Sequence, residues 1–478
     1  MNHRFKLPRH MMIRPFLYLA ISLLLPTSVL LAQPGSVDPT FDPGEGPNAR
    51  VFVTTVQPDG KVLIAGDFTE VSGQAHRRIA RLNADGSLDA SFNANAGPDV
   101  FAVFCITVQP DGKILLGGQF EAFNGTEHSM ITRLNANGTV DNSFDPGAGA
   151  DWIVSTIAVQ PDGKILVGGN FTSFDGTART GITRLNSNGA QDPSFDPGTG
   201  LGSIGIVTDI YAFALESDGR ITIAGSFNSY NGTDRNSIAR LNSNGELDTS
   251  FDPGSGAEFG SINCMVRQVD GKLVIGGSFT DYNGTDQPFL ARVTNSGALD
   301  PTFNVGASTS GSILAMALQP DGRILLGGFF YDYNELLARD VARVNTDGSL
   351  DLNWSTGTGS FGIDAGVYDM ALQADGSLIV GGQFSAYNGS TRNKVARLNG
   401  GTGTPVSEIQ GASRLHVWSD DENQLLRVSE PVSGQVFDME GRVVVTFNRT
   451  NAIAVDHLCA GAFLLRTESG TVHRFVRP

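Results

Sequence analysis

The stretch VQPDGKILLGGQF at residues 108–120 decides the fold, because variants of it recur down most of the chain. A near-identical copy, VQPDGKILVGGNF, runs over residues 159–171. With the Asp of the PDG-type turn as a marker, the copies fall at Asp59, Asp111, Asp162, Asp218, Asp270, Asp321 and Asp375, spaced 52, 51, 56, 52, 51 and 54 residues apart. Seven residues beyond each marker stands a Gly, from Gly66 and Gly118 to Gly382, and two further on a Phe, from Phe68 and Phe120 to Phe384. An Arg-Leu-Asn-like step follows, beginning at Arg81, Arg133, Arg184, Arg240, Arg292, Arg343 and Arg397.

Each copy predicts four strands. FAVFCITVQ (101–109) alternates and is rich in β-formers, PDGK is a tight turn, and ILLGGQF is the second strand. ITRLN is the third, an Asn-x-Asn/Asp-Gly hairpin follows, and VDNSF (140–144) is the fourth. Four-stranded units of about 50 residues suit propeller blades better than solenoid coils, which run roughly 20–45 residues per repeat. The fourth-strand phrase occurs six times after a third strand, from LDASF (88–92) to LDLNW (350–354), and once more as VDPTF (37–41) before the first copy. The seventh copy lacks it and runs into GGTGT. An open stack would leave an orphan strand at one end and a gap at the other, each an unpaired edge. The expected fold is therefore all-β: a seven-bladed β-propeller over residues 36–400, closed by an N-terminal strand.

The chain has 478 residues, 40% hydrophobic and 17% charged, with 59 glycines, which suits many tight turns around a real core. A net charge of −16 repels phosphate backbones and anionic lipid, so no nucleic-acid partner is expected. Residues 1–32 read as a signal peptide: Arg4, Lys6, Arg9 and Arg14 precede the short apolar run FLYLAISLLL (16–25), and LLA ends at Ala32. Once it is removed, no transmembrane span is expected, and the protein is expected to be secreted or at the outer cell surface. Three cysteines, Cys105, Cys264 and Cys459, make no disulfide framework.

PDGKILLGG together with RLNADGSLDxSFDPG resembles the delta-60 repeat family of large bacterial surface proteins, taken to form propellers. The resemblance covers about three quarters of the chain; it implies export and a surface role, and no settled activity. After the linker at 401–412, residues 413–478 change to short alternating strands, as in GQVFDMEGRVVVTF and AFLLRT, and predict a small β-sandwich. This tail is similar to the C-terminal sorting domains of the type IX secretion system. Asp438, Gly441, Arg442, Leu458 and Gly461 fill the family phrase, with Phe463 near the usual Tyr; the Tyr-Pro-Asn-Pro opening is missing and Cys459 is an unusual guest. The resemblance implies the export machinery as a partner.

The repeated residues read as frame. Asp-Gly is turn chemistry, the Arg81 series faces an Asp in the next strand (Asp89, Asp141) at the blade's outer edge, and Phe123, Phe174, Tyr230, Tyr282, Tyr333 and Tyr387 suit inter-blade packing. The Asn83–Asp89 phrase looks a little like a calcium loop but lacks its closing Glu. No metal site and no cofactor are expected, with incidental Ca²⁺ binding as the alternative. No P-loop, Cys-x-x-Cys, H-E-x-x-H or Ser-His-Asp order is present.

What varies is the loops preceding each first strand: GPDVF (97–101), GADWI (149–153), GLGSIGIVTDI (200–210) and GSFGIDAGVYD (359–369). Function concentrates in variable loops on a rigid frame. Asp99, Asp151, Trp152, Asp209 and Asp364 are the candidate binding residues, for an extracellular glycan or protein. The leading expectation is a non-enzymatic binding or adhesion propeller with a sorting tail. The rival is a polysaccharide-cleaving hydrolase or lyase using carboxylates such as Asp151, Asp209, Asp364 or Asp369.

Overall fold

The PDG phrase folds as a tight reversal between two strands. The Gln109 N–H donates to the Lys113 carbonyl at 2.8 Å and the Gly112 N–H to the Gln109 carbonyl at 2.9 Å. Gly112 holds a left-handed φ of 83°, which a residue without Cβ adopts freely. Asp111 acts through its side chain instead: Oδ1 accepts the Lys113 N–H at 3.1 Å, an Asx-type cap.

The computed structural model describes residues 33–94, 97–203 and 207–400, and in the tail 417–420, 425–437, 443–454, 461–467 and 472–477. The 1–32 segment, the 401–412 linker, and Asp438, Gly441, Arg442, Leu458 and Cys459 of the tail lie outside the described residues. The chain divides into two units, Met1–Thr402 and Gly403–Pro478. Among the described residues there is no helix.

Each blade is a three-stranded antiparallel sheet. In blade one, Val51–Val56 pairs with Val62–Gly66, and that strand with Ile79–Leu82. A two-residue hairpin, Glu70–Val71 with Gln74–Ala75, links the second and third strands. The expected fourth strand shrinks to one bridge, Leu88 to Leu82, and the same single bridge recurs in blades two to six. The cause lies in the phrase itself. Asp89 Oδ1 accepts the Ser91 N–H at 3.0 Å and its hydroxyl at 2.7 Å, while the Asp89 carbonyl takes the Phe92 N–H. A side chain that satisfies the local backbone competes with the ladder, so LDxSF turns where it was expected to extend.

Packing follows the seams. Among the described residues there are seven core clusters, and each joins two neighbouring blades. One of them sets Phe41, Val51 and Ile64 beside Ile379 and Val395 of blade seven. The second strands are buried on both faces, which explains their unbroken apolar text. The repeated Gly answers a close approach: a Cβ on Gly66 would lie 2.0 Å from the Arg50 carbonyl oxygen, and one on Gly118 2.3 Å from that of Ala102.

The Arg–Asp pairs sit at the outermost strand of each blade, as expected, but in blades one to six they are buried there rather than exposed. Arg133 and Asp141 are both buried, 2.7 Å apart, and Arg133 Nη1 also donates to the Ser187 carbonyl of the next blade. Arg81 reaches Ala136 in the same way, Arg343 reaches Gly400, and Arg397 reaches back to Ala84 of blade one. Each guanidinium lies over an aromatic ring, as Arg133 does over Phe144 at 4.7 Å. The Lys of PDGK adds a third member: Lys113 Nζ sits 2.9 Å from Asp141. Blade seven takes its acid from the N-terminal segment, where Asp38 pairs with Arg397 at 2.7 Å and Val37 bridges Leu398.

The tail strands Val417–Asp420, Leu425–Phe437, Val443–Ala454, Gly461–Thr467 and Val472–Arg477 are joined by antiparallel pairing among the described residues. Register shifts between Arg427 and Gly434 divide the long Leu425–Phe437 strand, whose first part pairs with Val417–Asp420 and whose last part pairs with Gly461–Thr467.

Candidate functional site

Strand pairing gives every blade two unlike ends. The start of the first strand meets the end of the second (Val51 with Gly66), and so does the start of the third (Ile79 with Ala65). The variable loops therefore gather at one end, and the PDGK and Asn-x-Asp-Gly hairpins at the other. At the loop end each first strand carries a register shift that leaves one residue unpaired: Phe52, Phe104, Ser155, Tyr211, Asn263, Leu314 and Tyr368. A bulge re-aims its side chain. Here it produces an aromatic arc, with ring centroids 5.4 Å apart for Phe329–Tyr368, 5.6 Å for Tyr368–Phe52 and 5.4 Å for Phe52–Phe104. On blades three and five the same position is polar: Ser155 donates to Asp209 at 3.0 Å and Asn263 to the Ile313 carbonyl at 3.0 Å.

The two ends differ sharply in exposed apolar surface. Among the described residues 14 large hydrophobic side chains are exposed, and only Val269 and Leu352 lie towards the hairpin end. The rest belong to the loop end, among them Phe101, Trp152, Phe259, Tyr331 and Phe361.

The five candidate residues fall at this end on four different blades. Asp99 Oδ1 accepts the Ala122 N–H at 3.1 Å, and Asp151 accepts the Thr172 and Ser173 N–H groups at 2.8 and 3.0 Å. Both carboxylates thus hold the short hairpin beside them. Trp152 is 48% exposed. Asp364 is exposed, holds a left-handed φ of 52°, and lines a cavity of about 350 Å³ with Arg50, Tyr368 and Lys394 at the seam of blades seven and one. Asp209 is 7% exposed on its strand. Asp369 sits on the first strand of blade seven, where Oδ2 accepts the Thr54 N–H of blade one at 2.7 Å. Burial pushes Asp369 up to about 6, against hydrogen bonds from Thr54 and Met370.

Asp209 gives a pH signature. Burial raises its carboxyl from 3.8 to about 7, against hydrogen bonds from Ser155 and Ile210, and Oδ1 has no partner. Between pH 3.8 and about 7 the unfolded chain releases a proton that the folded chain keeps, so stability falls as pH rises through that window. Asp209→Asn is expected to melt a few degrees higher than wild type at pH 8, with the gain disappearing below pH 4; scanning calorimetry across pH checks it.

Expected frame residues behave as frame. Asp85 Oδ1 accepts the Ser87 N–H and hydroxyl in an Asx-type turn. Tyr230, Tyr282 and Tyr333 are fully buried, and Tyr230 and Tyr282 each donate to a glycine carbonyl of the following hairpin at 2.7 Å. Cys105 and Cys264 are unbridged. Among the described residues no three His, Cys, Asp or Glu side chains gather as a metal site, and no helix is long and apolar enough to cross a membrane. The bulge positions escaped the sequence reading. Their only signal was weak: aligned on the marker, they mix Phe, Ser, Tyr, Asn and Leu directly after a position that is always Val or Ile.

The repeats match the family described as domain of unknown function (DUF5122) beta-propeller at residues 57–92, 109–144, 160–195, 216–251, 268–303, 319–353 and 373–405, just over half the chain. The chain belongs to this family. The DUF5122 propeller is also similar to solved structures at low identity. The WD40 beta propeller domain of Doa1 aligns at 12% identity and a TM-score of 0.48, over 77% of this chain and 95% of that one. PorZ, described as an essential bacterial surface component of the type-IX secretion system of Porphyromonas gingivalis, aligns at 12% identity and a TM-score of 0.42, over 91% of this chain and 60% of PorZ. The extracellular domain of BT4673 from B. thetaiotaomicron aligns at 14% identity and a TM-score of 0.46, over 91% of this chain. The chain spans 52% of that domain's length. No curated protein matches the chain in sequence.

Proposed function

We propose that this DUF5122 chain is an exported binding propeller: seven blades closed into a ring, a loop-end face that holds a ligand outside the cell, and a tail that addresses it to the export machinery. The observation that carries the binding role is the concentration of exposed aromatic and aliphatic side chains at the loop end. Closure is supported by the Arg397 bond to the Ala84 carbonyl and by the Val37–Leu398 bridge. Export is supported by the charged and apolar pattern of residues 1–32 and by the sorting-like phrase in 413–478.

The test uses the mature chain, residues 33–478, on glycan and protein arrays. Replacing Phe101, Trp152 and Phe361 together with Ser is expected to weaken binding at least tenfold, with the melting temperature unchanged because all three are exposed. Val269→Ser, towards the opposite end, is expected to leave binding intact. Equal loss from both variants, or no ligand at all, removes the binding reading. For the tail, the full chain lacking 413–478 is expected to stay inside the cell; its appearance in the medium defeats the sorting role.

A further inference from the structure

One position repeats in backbone and varies in chemistry. The residue just ahead of the third strand is left-handed in all seven blades: Arg78, Met130, Gly181, Ser237, Phe289, Asp340 and Lys394, with φ between 61° and 77°. Gly181 shows that glycine serves there, yet six blades place a side chain at roughly 1–2 kcal/mol of backbone strain. In five blades the site demonstrably faces the seam with the next blade. Met130 packs with Ala150, and Phe289 with Val305 and Ile313. Asp340 accepts the Ser360 N–H at 3.1 Å and its hydroxyl at 2.6 Å. A Cβ on Gly181 would meet Leu201, and Ser237 donates to the Gly260 carbonyl at 3.3 Å. Met130 and Phe289 put large side chains at this position in blades two and five. Ser237 is small, and the seam of blades four and five opens into a cavity of about 620 Å³, within the range of small-ligand sites.

Its lining is five serines, Asn228, Asn236, Glu258 and Phe259, with Ala257 and Gly260. The polar groups hold one another in place: Asn228 donates to Asn236 Oδ1 at 3.1 Å, Asn236 to the Ser255 carbonyl at 2.6 Å, and the Ser261 and Ser278 hydroxyls meet at 3.2 Å. Glu258 accepts the Ser255 hydroxyl and the Gly284 N–H. At the rim Phe259 is 80% exposed on a left-handed backbone of φ 56°, an unusual place for a bulky side chain. No Lys, Arg or His lines the cavity. An anionic ligand would thus face Glu258 without a counter-charge. The same seam between blades seven and one carries Lys394 where Ser237 stands, Arg50 for Ser261 and Gln383 for Ser226. One repeated architecture therefore gives a charged seam and a hydroxyl-and-amide seam.

We infer that the seam of blades four and five binds a neutral saccharide, its hydroxyls held by the serine and asparagine lining and a pyranose face laid on Phe259. This rests on the reading of the loop end as a binding face and names the ligand class of one site on it, separate from Phe101, Trp152 and Phe361. The probes are neutral cello-, manno-, xylo- and chito-oligosaccharides, titrated calorimetrically into the mature chain. At least one is expected to bind; Phe259→Ala is expected to weaken it tenfold or more with an unchanged melting temperature. Ser237→Met, which copies the side chain and backbone of Met130, is expected to fill the seam and abolish binding while the protein melts no lower. Val269→Ser is expected to bind as wild type. Binding that survives both Phe259→Ala and Ser237→Met overturns the inference. So does a chain that ignores every neutral sugar yet holds another array ligand through Phe101, Trp152 and Phe361, a result that leaves the binding role standing.

Discussion

Deleting residues 33–41 from the mature chain is expected to lower stability by on the order of 5 kcal/mol or more and to loosen blade seven first. Phe41 is fully buried in the cluster that joins blades seven and one, and losing a core Phe alone costs roughly 3–5 kcal/mol. The deletion also removes the Val37–Leu398 bridge and the Asn399 N–H bond to the Ser36 carbonyl. Arg397 would lose Asp38 and the Thr40 hydroxyl, bonded at 2.7 and 2.9 Å, together with the Phe41 ring 5.1 Å beneath its guanidinium. Urea unfolding should show an early transition and a smaller slope, because part of the surface is already exposed. Limited proteolysis should cut first near residues 378–398. A single transition at the wild-type midpoint would mean that the segment does not fasten the ring.

The contact of residues 37–41 with blade seven was legible from text alone, because the count of fourth-strand phrases came out one short at the end and one over at the start. The shape of the phrase was not. Asp89 and Ser91 look like strand residues by position, and only the hydroxyl and N–H contacts to Oδ1 show that the chain turns there. The seam-spanning bonds were hidden for a different reason. Arg81 and Asp89 are eight residues apart and easily paired by eye, whereas Arg81 and the Ala136 carbonyl are 55 apart and depend on the pitch between blades. Of the candidate residues, Trp152 and Asp364 are exposed in their loops. Asp99 and Asp151 carry the same residue type, yet they cap backbone N–H groups, and no spacing rule separates such a cap from a ligand contact. The residue ahead of the third strand was the least visible, since left-handed φ at Met130 or Phe289 contradicts their ordinary preference.

Asp192→Ala is expected to destabilise the propeller by about 3–5 kcal/mol, although Asp192 contacts no candidate ligand residue. Its carboxylate receives Arg184 at 2.7 Å and Lys164 at 2.8 Å, and the Asp and Arg side chains are only 5% and 6% exposed. Truncation leaves a buried guanidinium that still donates to the Ser243 carbonyl but has lost its counter-charge. Removing both charges, as Arg184→Met with Asp192→Leu, is expected to cost less than Asp192→Ala alone, because an apolar pair can fill such a site without a stranded ion. Urea midpoints of the three proteins decide between a pair that stabilises and one whose partners chiefly protect each other. A double variant weaker than the single one would show net stabilisation by the ion pair. The same chemistry sets the acid limit of the fold. Burial works against the charge on Asp192, yet Lys164, Ser194 and Arg184 hold its carboxyl well below 3.8; Asp38, Asp89, Asp141, Asp248, Asp300 and Asp351 are lowered too. A lowered carboxyl gives stability that is present above 3.8 and lost as pH falls below it. With one such group in every blade, the melting temperature should drop steeply below about pH 4, and Asp192→Ala should flatten that drop by one blade's share.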